Sequence, residues 1–105
     1  MSCGYEYSQR KSDGLVYVYF IRCNDGSIYT GVSNNVYRRY EQHRMGKGAK
    51  YTKIKGVNEL ITYRKFANRS EALKIEYHIK SLTTEKKRQL IRTWKNENLN
   101  CDPKV

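Results

Sequence analysis

Acidic residues are scarce in this sequence: 10 Asp and Glu stand against 21 Lys and Arg, a formal net charge of +11 over 105 residues. So one-sided a balance predicts attraction to polyanions, meaning nucleic acid or an anionic membrane surface. Cysteine is scarce too. Cys3, Cys23 and Cys101 lie far apart, with no CxxC pair and no Cys/His spacing suited to zinc. An odd count argues against a disulfide framework, so reduced thiols in an intracellular protein, cytoplasmic or nuclear, are the simpler reading. No stretch approaches the roughly 18 apolar residues of a membrane span, and there is no signal-peptide core; the expected partner is therefore not a membrane. The single proline does not suggest disorder, and no internal repeat or low-complexity tract is seen. The length leaves no room for a second domain.

Tyrosine, by contrast, is abundant, with 10 copies. Aromatic rings interleaved with Lys and Arg suit stacking on bases and contacting phosphates, although several will simply be core or half-buried sheet residues. Residues 1–14 are polar and read as a flexible N-terminal arm. "LVYVYFIRC" (Leu15 to Cys23) is apolar on both parities, as in a central strand covered on both faces. "NDGS" is a turn, "IYTGVS" a second short strand, and "NELITYRKF" a third. Between the second and third strands, Ser33, Asn34 and Asn35 are candidate helix caps. Val36, Arg39, Tyr40 and His43 then follow along one helical stripe, which Gly46 and Gly48 end. "GKGAKYTKIKG" reads as a basic loop. Ser70 is read as the cap of a helix "EALKIEYHIKSL", and Thr83 or Thr84 as the cap of a last helix bearing Leu90, Ile91 and Trp94. The expected fold is α+β: a small antiparallel three-stranded sheet flanked by three helices, in the order β-β-α-β-α-α. The domain is placed at 15–95, with a polar, fraying tail at 96–105.

The hairpin turn carries a specific expectation. A three-residue loop puts Asn24 and Asp25 in the right-handed helical region and Gly26 in the left-handed one. Cys23 then pairs with Ser27, Ile21 faces Tyr29, and Tyr19 faces Gly31. Tyr19 and Tyr29 thus share a face, with space for the Tyr19 ring opposite the glycine. A two-residue loop would separate them. Glu76 sits beside the apolar stripe of Ala72, Ile75 and Ile79, where a carboxylate needs an ion pair (Lys80 at i+4 is one), a hydrogen bond or a metal. Taken alone, Arg39 and His43 read equally as a solvated helix face contacting phosphate.

Together these residues resemble the GIY-YIG nuclease domain over Val16 to about Ile91. The likeness is closest to its small single-domain (YhbQ-like) members and to the nuclease domain of structure-specific branched-DNA endonucleases. The first motif element reads Tyr17-Val18-Tyr19 and the second Tyr29-Thr30-Gly31, with Tyr17 and Thr30 departing from the usual glycine and isoleucine. Arg39 and His43 follow Gly31 by eight and twelve residues, and Glu76 falls on the later helix. "GKGAKYT" is typical of the closest subgroup; the zinc module of the branched-DNA enzymes is absent.

The resemblance implies metal-dependent hydrolysis of DNA phosphodiesters, structure-selective (branched, flap or single-stranded DNA), in repair or recombination. Glu76 would hold Mg²⁺ or Mn²⁺, Arg39 would stabilise the phosphate charge, and Tyr19 would orient water or phosphate. Tyr29 would be the general base, with His43 as the alternative base or a relay. A phenol with its ordinary pKa near about 10 needs cationic neighbours to act so, which Arg39, the metal and His43 could supply. Arg38, Lys47, Lys50, Lys53 and Lys55 would hold the DNA backbone. The competing reading is a catalytically inactive nucleic-acid-binding module. So small a domain would gain surface from a second copy of itself or from an accessory protein.

Overall fold

The computed structural model describes residues 15–100, with side chains as far as 98. The expected N-terminal arm, 1–14, and residues 101–105 lie outside the described residues. The elements run β1 (Val16–Cys23), β2 (Ile28–Ser33), α1 (Val36–Arg44), α2 (Lys50–Lys55), β3 (Val57–Phe66), α3 (Arg69–Lys80) and α4 (Thr84–Asn100). The sheet is antiparallel throughout in the order β2-β1-β3, which makes the doubly apolar segment its central strand, as its composition predicts.

The two faces of β1 feed two cores. Val16, Val18 and Phe20 pack with Ala72, Ile79, Ile91 and Trp94 on the side of α3 and α4. The Phe20 and Trp94 rings lie 5.1 Å apart between centroids. On the other side Tyr19 and Ile21 meet Val36 of α1, flanked by Tyr29, Tyr40 and Tyr63. Cys23 is a buried free thiol. Among the described residues no helix is long and apolar enough to cross a membrane.

Three local expectations change, and β3 carries a bulge. The basic segment is not all loop: Lys50–Lys55 forms α2, giving four flanking helices. It has no apolar stripe to betray it, because a single buried hydroxyl residue, Thr52, anchors it. The cap of α3 is Asn68, not Ser70. Its Oδ1 accepts from the Glu71 amide at 2.9 Å, so the helix starts at Arg69. In β3 the pairing shifts between Phe20↔Thr62 and Ile21↔Leu60, leaving Ile61 as an extra residue. This bulge breaks the alternation. Ile61 joins the α3/α4 core while Leu60 and Tyr63 join the other. Finally, α4 continues through Asn100, past the start of the expected tail. Asn98 Nδ2 holds it to β3 by donating to Thr62 Oγ1 (2.8 Å) and Tyr63 O (3.0 Å).

Candidate active site

The hairpin turn sets the site. Gly26 adopts φ +89°, its amide donates to Cys23 O (3.0 Å), and the Cys23 amide donates to Ser27 O (2.8 Å). The register follows as expected, with Ile21 opposite Tyr29 and Tyr19 opposite Gly31. The two tyrosines share a face, their ring centroids 6.4 Å apart.

Helix α1 delivers the next two groups. Asn35 caps it, its Oδ1 accepting from the Arg38 amide at 3.2 Å. One face then buries Val36 and His43 and leaves Arg39 half-buried. The His43 imidazole reaches β1, where Nε2 lies 2.9 Å from the Tyr19 hydroxyl, and its ring is 5.2 Å from that of Tyr29. Its other nitrogen, Nδ1, lies 2.7 Å from Thr52 Oγ1 on α2 and 3.4 Å from the Ala49 amide. Gly48 completes this cradle, since a Cβ there would meet the imidazole, with Cε1 and Cγ at 2.7 Å. The segment expected only to grip DNA therefore also holds His43.

The chain Tyr19–His43–Thr52 can carry its protons in two ways. In one, Nδ1–H donates to Thr52, whose hydroxyl donates to Ala49 O (3.0 Å), and Tyr19 donates to Nε2. In the other, Nε2–H donates to Tyr19, and Nδ1 accepts from Thr52 and from the Ala49 amide.

Burial fixes the charge of this pair. It pushes the Tyr19 phenol well above its ordinary range, helped by Tyr29 and opposed by the nearby Arg39 guanidinium. It pushes His43 down to about 4, with the positive charge of Arg39 as second cause. Both are neutral near pH 7, so His43 brings no positive charge to the cluster. A consequence follows for folding. Unfolded His43 binds a proton below about 6.5, whereas the folded residue resists one down to about 4. Stability should therefore be full above about pH 6.5 and fall as pH drops toward 4. Asp25, held low mainly by its hydrogen bond from Lys55, acts only below its ordinary 3.8. Thermal melts from pH 4 to 7.5 should show this slope in the wild type and a flatter one in His43→Gln. Equal slopes would assign the dependence elsewhere.

Arg39 donates from Nη1 to Gln42 Oε1 at 2.7 Å. Beside it opens a cleft of about 140 Å³ lined by Ser33, Asn34, Asn35, Arg38, Arg39 and Gln42. It is polar, cationic and large enough for a phosphate group.

Glu76 arrives from α3, which packs against β1 and β2. Its carboxylate makes the ion pair open to it from the sequence, with Lys80 Nζ 3.2 Å from Oε2. Lys80 Nζ in turn lies 5.8 Å from the centre of the Tyr29 ring, and the charge of Glu76 is felt at Tyr19. The carboxylate thus belongs to the tyrosine cluster. No group of three His, Cys, Asp or Glu able to cage a metal exists among the described residues. One half-buried carboxylate suits a different kind of ion. A hard, hydrated divalent cation takes one or two protein carboxylates and completes its shell with water and substrate phosphate. The donor set fits Mg²⁺ or Mn²⁺ on those terms.

Lys47, Lys50 and Lys53 are exposed, and so is Arg38 at the cleft. Exposed like the others, Lys55 also places its ammonium 2.7 Å from Asp25 Oδ2, which ties α2 to the hairpin turn. Sequence reasoning missed Gly48, Thr52 and Gln42. Gln42 was findable, three residues after Arg39 on the same helix. Thr52 was not, because nothing marked α2 as a helix. Tyr51, whose ring lies 5.9 Å from that of Tyr29, is exposed at the rim.

Comparison with known proteins identifies the family of the domain that carries these residues. The model of the GIY-YIG catalytic domain matches residues 15–89. A UPF0213 protein of Oceanobacillus iheyensis is 47% identical over 81 residues, covering 77% of this chain and 94% of that protein. One from Staphylococcus aureus is 46% identical over 76 residues, covering 72% and 93%. The solution NMR structure of the UPF0213 protein BH0048 from Bacillus halodurans is 43% identical, covers 75% of this chain and 84% of its own, and superposes with a TM-score of 0.51. A match that spans the hairpin, α1 and α3, and takes in Tyr19, Tyr29, Arg39, His43 and Glu76 together, makes this chain a member of the GIY-YIG nuclease family.

Proposed function

We propose that this chain is a metal-dependent DNA endonuclease that hydrolyses phosphodiester bonds, prefers branched, flap or single-stranded DNA to intact duplex, and acts inside the cell in repair or recombination. The observation that carries this reading is the convergence of Tyr19, Tyr29, Arg39 and His43 on the α1 face of the sheet, with Glu76 reaching their edge from α3.

The roles follow from exposure and bonding. Tyr29 is the base: it is half-exposed, whereas Tyr19 is 1% exposed and His43 has both ring nitrogens engaged. Tyr19 and His43 form the buried wall behind it and offer a path along which a proton can pass to Thr52. Arg39, beside the phosphate-sized cleft, holds the scissile phosphate and stabilises the charge it gains. Arg38, Lys47, Lys50 and Lys53 position the backbone. Glu76 would hold the divalent ion, whose Lewis acidity would stabilise the leaving oxygen.

The test is cleavage of labelled duplex, single-stranded and branched DNA in Mg²⁺, Mn²⁺ and EDTA. Cleavage should need the metal and fall by about 100-fold or more in Glu76→Ala, several kcal/mol of charge stabilisation being lost. Cleavage that survives EDTA, or survives Glu76→Ala, would sink this assignment. Binding without cleavage on every substrate would leave a DNA-holding module.

A further inference from the structure

The nuclease site does not use all of the positive surface. Side chains on β1 alternate, so Arg22 points away from Tyr19 and lies on the α3/α4 side of the sheet, opposite its strand partner Ile28. There it borders a cleft of about 390 Å³ lined by Arg22, Ile28, Arg88, Ile91, Arg92 and Lys95, with Gly26 at the hairpin end. Four cations ring a floor of two isoleucines. Arg88, Arg92 and Lys95 fall at i, i+4 and i+7 of α4, hence on one stripe, and all three are exposed. None of the three has an ion-pair partner among the described residues. Arg22 is paired with Glu59 at 3.4 Å. The acids of α4 do not line the cleft: Glu97 pairs with Arg64, and Glu85 lies one turn before Arg88.

We infer that this cleft is a second nucleic-acid contact, which takes the phosphate backbone of another arm of the substrate. The inference rests on the nuclease reading and deepens it by giving structure selectivity a physical source. The spacing suits a phosphodiester chain. Seven residues of helix advance about 10 Å, while one strand of duplex carries a charge about every 3.4 Å of axis, so the stripe matches roughly three phosphates. Apolar Ile28 and Ile91 between the cations suit the sugar side of a backbone.

The position on the opposite face of the sheet decides the substrate shape. A straight duplex lying on the α1 face, where Tyr19, Arg39 and His43 sit, leaves the α4 stripe on the other side of the sheet, and reaching it would require the duplex to bend sharply, which is costly. A junction, flap or gapped substrate has a flexible point and can lay one arm on each face. Its second contact is then intramolecular and multiplies the first. A linear duplex can use either face, though only one at a time.

The experiment is equilibrium binding in EDTA, where nothing is cut, by fluorescence anisotropy. The probes are a labelled three-way junction and a linear duplex of equal length, each over a salt series. The proteins are wild type, the triple variant Arg88→Gln/Arg92→Gln/Lys95→Gln, and the charge-matched control Lys65→Gln/Arg69→Gln/Lys74→Gln, whose sites are all exposed. The α4 variant should bind the junction at least about tenfold more weakly, with its salt slope reduced by about 2–3. Its affinity for linear duplex should change by no more than about twofold, since one of two alternative faces is lost. The control should lose less on the junction. Equal losses on both DNAs, equal losses in the two variants, or no loss on the junction would each overturn the inference. Failure of the wild type to bind any DNA would instead sink the nuclease reading.

Discussion

Tyr29→Phe should lower the rate of DNA cleavage by about 10²–10⁴-fold, the range for removal of a positioned general base, with folding and DNA binding unchanged. Every described contact of Tyr29 belongs to its ring: Tyr19 at 6.4 Å, His43 at 5.2 Å, Tyr51 at 5.9 Å, and the Lys80 ammonium at 5.8 Å. Phenylalanine keeps those contacts and removes one oxygen. Tyr29 lies at the surface of the cluster, so no buried hydrogen-bond partner is stranded. Single-turnover cleavage separates chemistry from binding, and anisotropy with a thermal melt checks the rest. If the variant cuts at the wild-type rate, Tyr29 is not the base. The role would then pass to His43, which burial and Arg39 keep neutral, and so able to accept a proton, above about pH 4.

Gly31→Ala should destabilise the protein by about 1–3 kcal/mol and depress cleavage with it. Two effects of opposite sign compete. Gly31 is not at positive φ, and inside a strand alanine is ordinarily favoured over glycine by about 0.5–1 kcal/mol. Against this, the new methyl would fall on the Tyr19 hydroxyl and 2.5 Å from Cζ. The ring cannot retreat cheaply. It is 1% exposed and hydrogen-bonded to His43, and the far side of that imidazole is closed by Gly48, where a Cβ would also collide. Two glycines thus clamp the Tyr19–His43 pair from opposite ends, and the collision outweighs the conformational gain. Urea titration should show a lower midpoint at unchanged slope, beside slower cleavage. Equal or greater stability would mean that the Tyr19 ring swings aside freely, and that its bond to His43 is not held by packing.

Much of this was legible in the chain itself. β1 announced itself as central because its apolar residues fall on both parities, and only a strand covered on both faces is built so. The turn residues allowed two loop lengths; the structure adopts the expected three-residue one, Asn24 to Gly26, which pairs Tyr19 with Gly31 and puts Tyr29 on the same face. The spacing of Val36, Arg39 and His43 laid them along one side of α1. These are local rules, in which backbone geometry over a short stretch leaves few answers.

What the sequence could not decide depends on groups far apart in it. Thr52 meets His43 across nine residues and a helix with no apolar stripe. Asn98 meets β3 from 35 and 36 residues away and turns an unpromising polar tail into the end of α4. The bulge at Ile61 sends Ile61 and Tyr63, which regular alternation would put on one face, to different cores. Lys55 is tied to Asp25, 30 residues away in the chain, at 2.7 Å. The protonation of Tyr19 and His43 belongs here as well, since desolvation is a property of everything packed around a group. Sequence alone determined the strands, two candidate hairpin registers and the residue types of the site. Tertiary structure alone decided which polar groups meet, which are stripped of water, and which cations are left free on the far face of the sheet. Hydrogen bonding and burial act through space, and the chain does not write those distances in its local pattern.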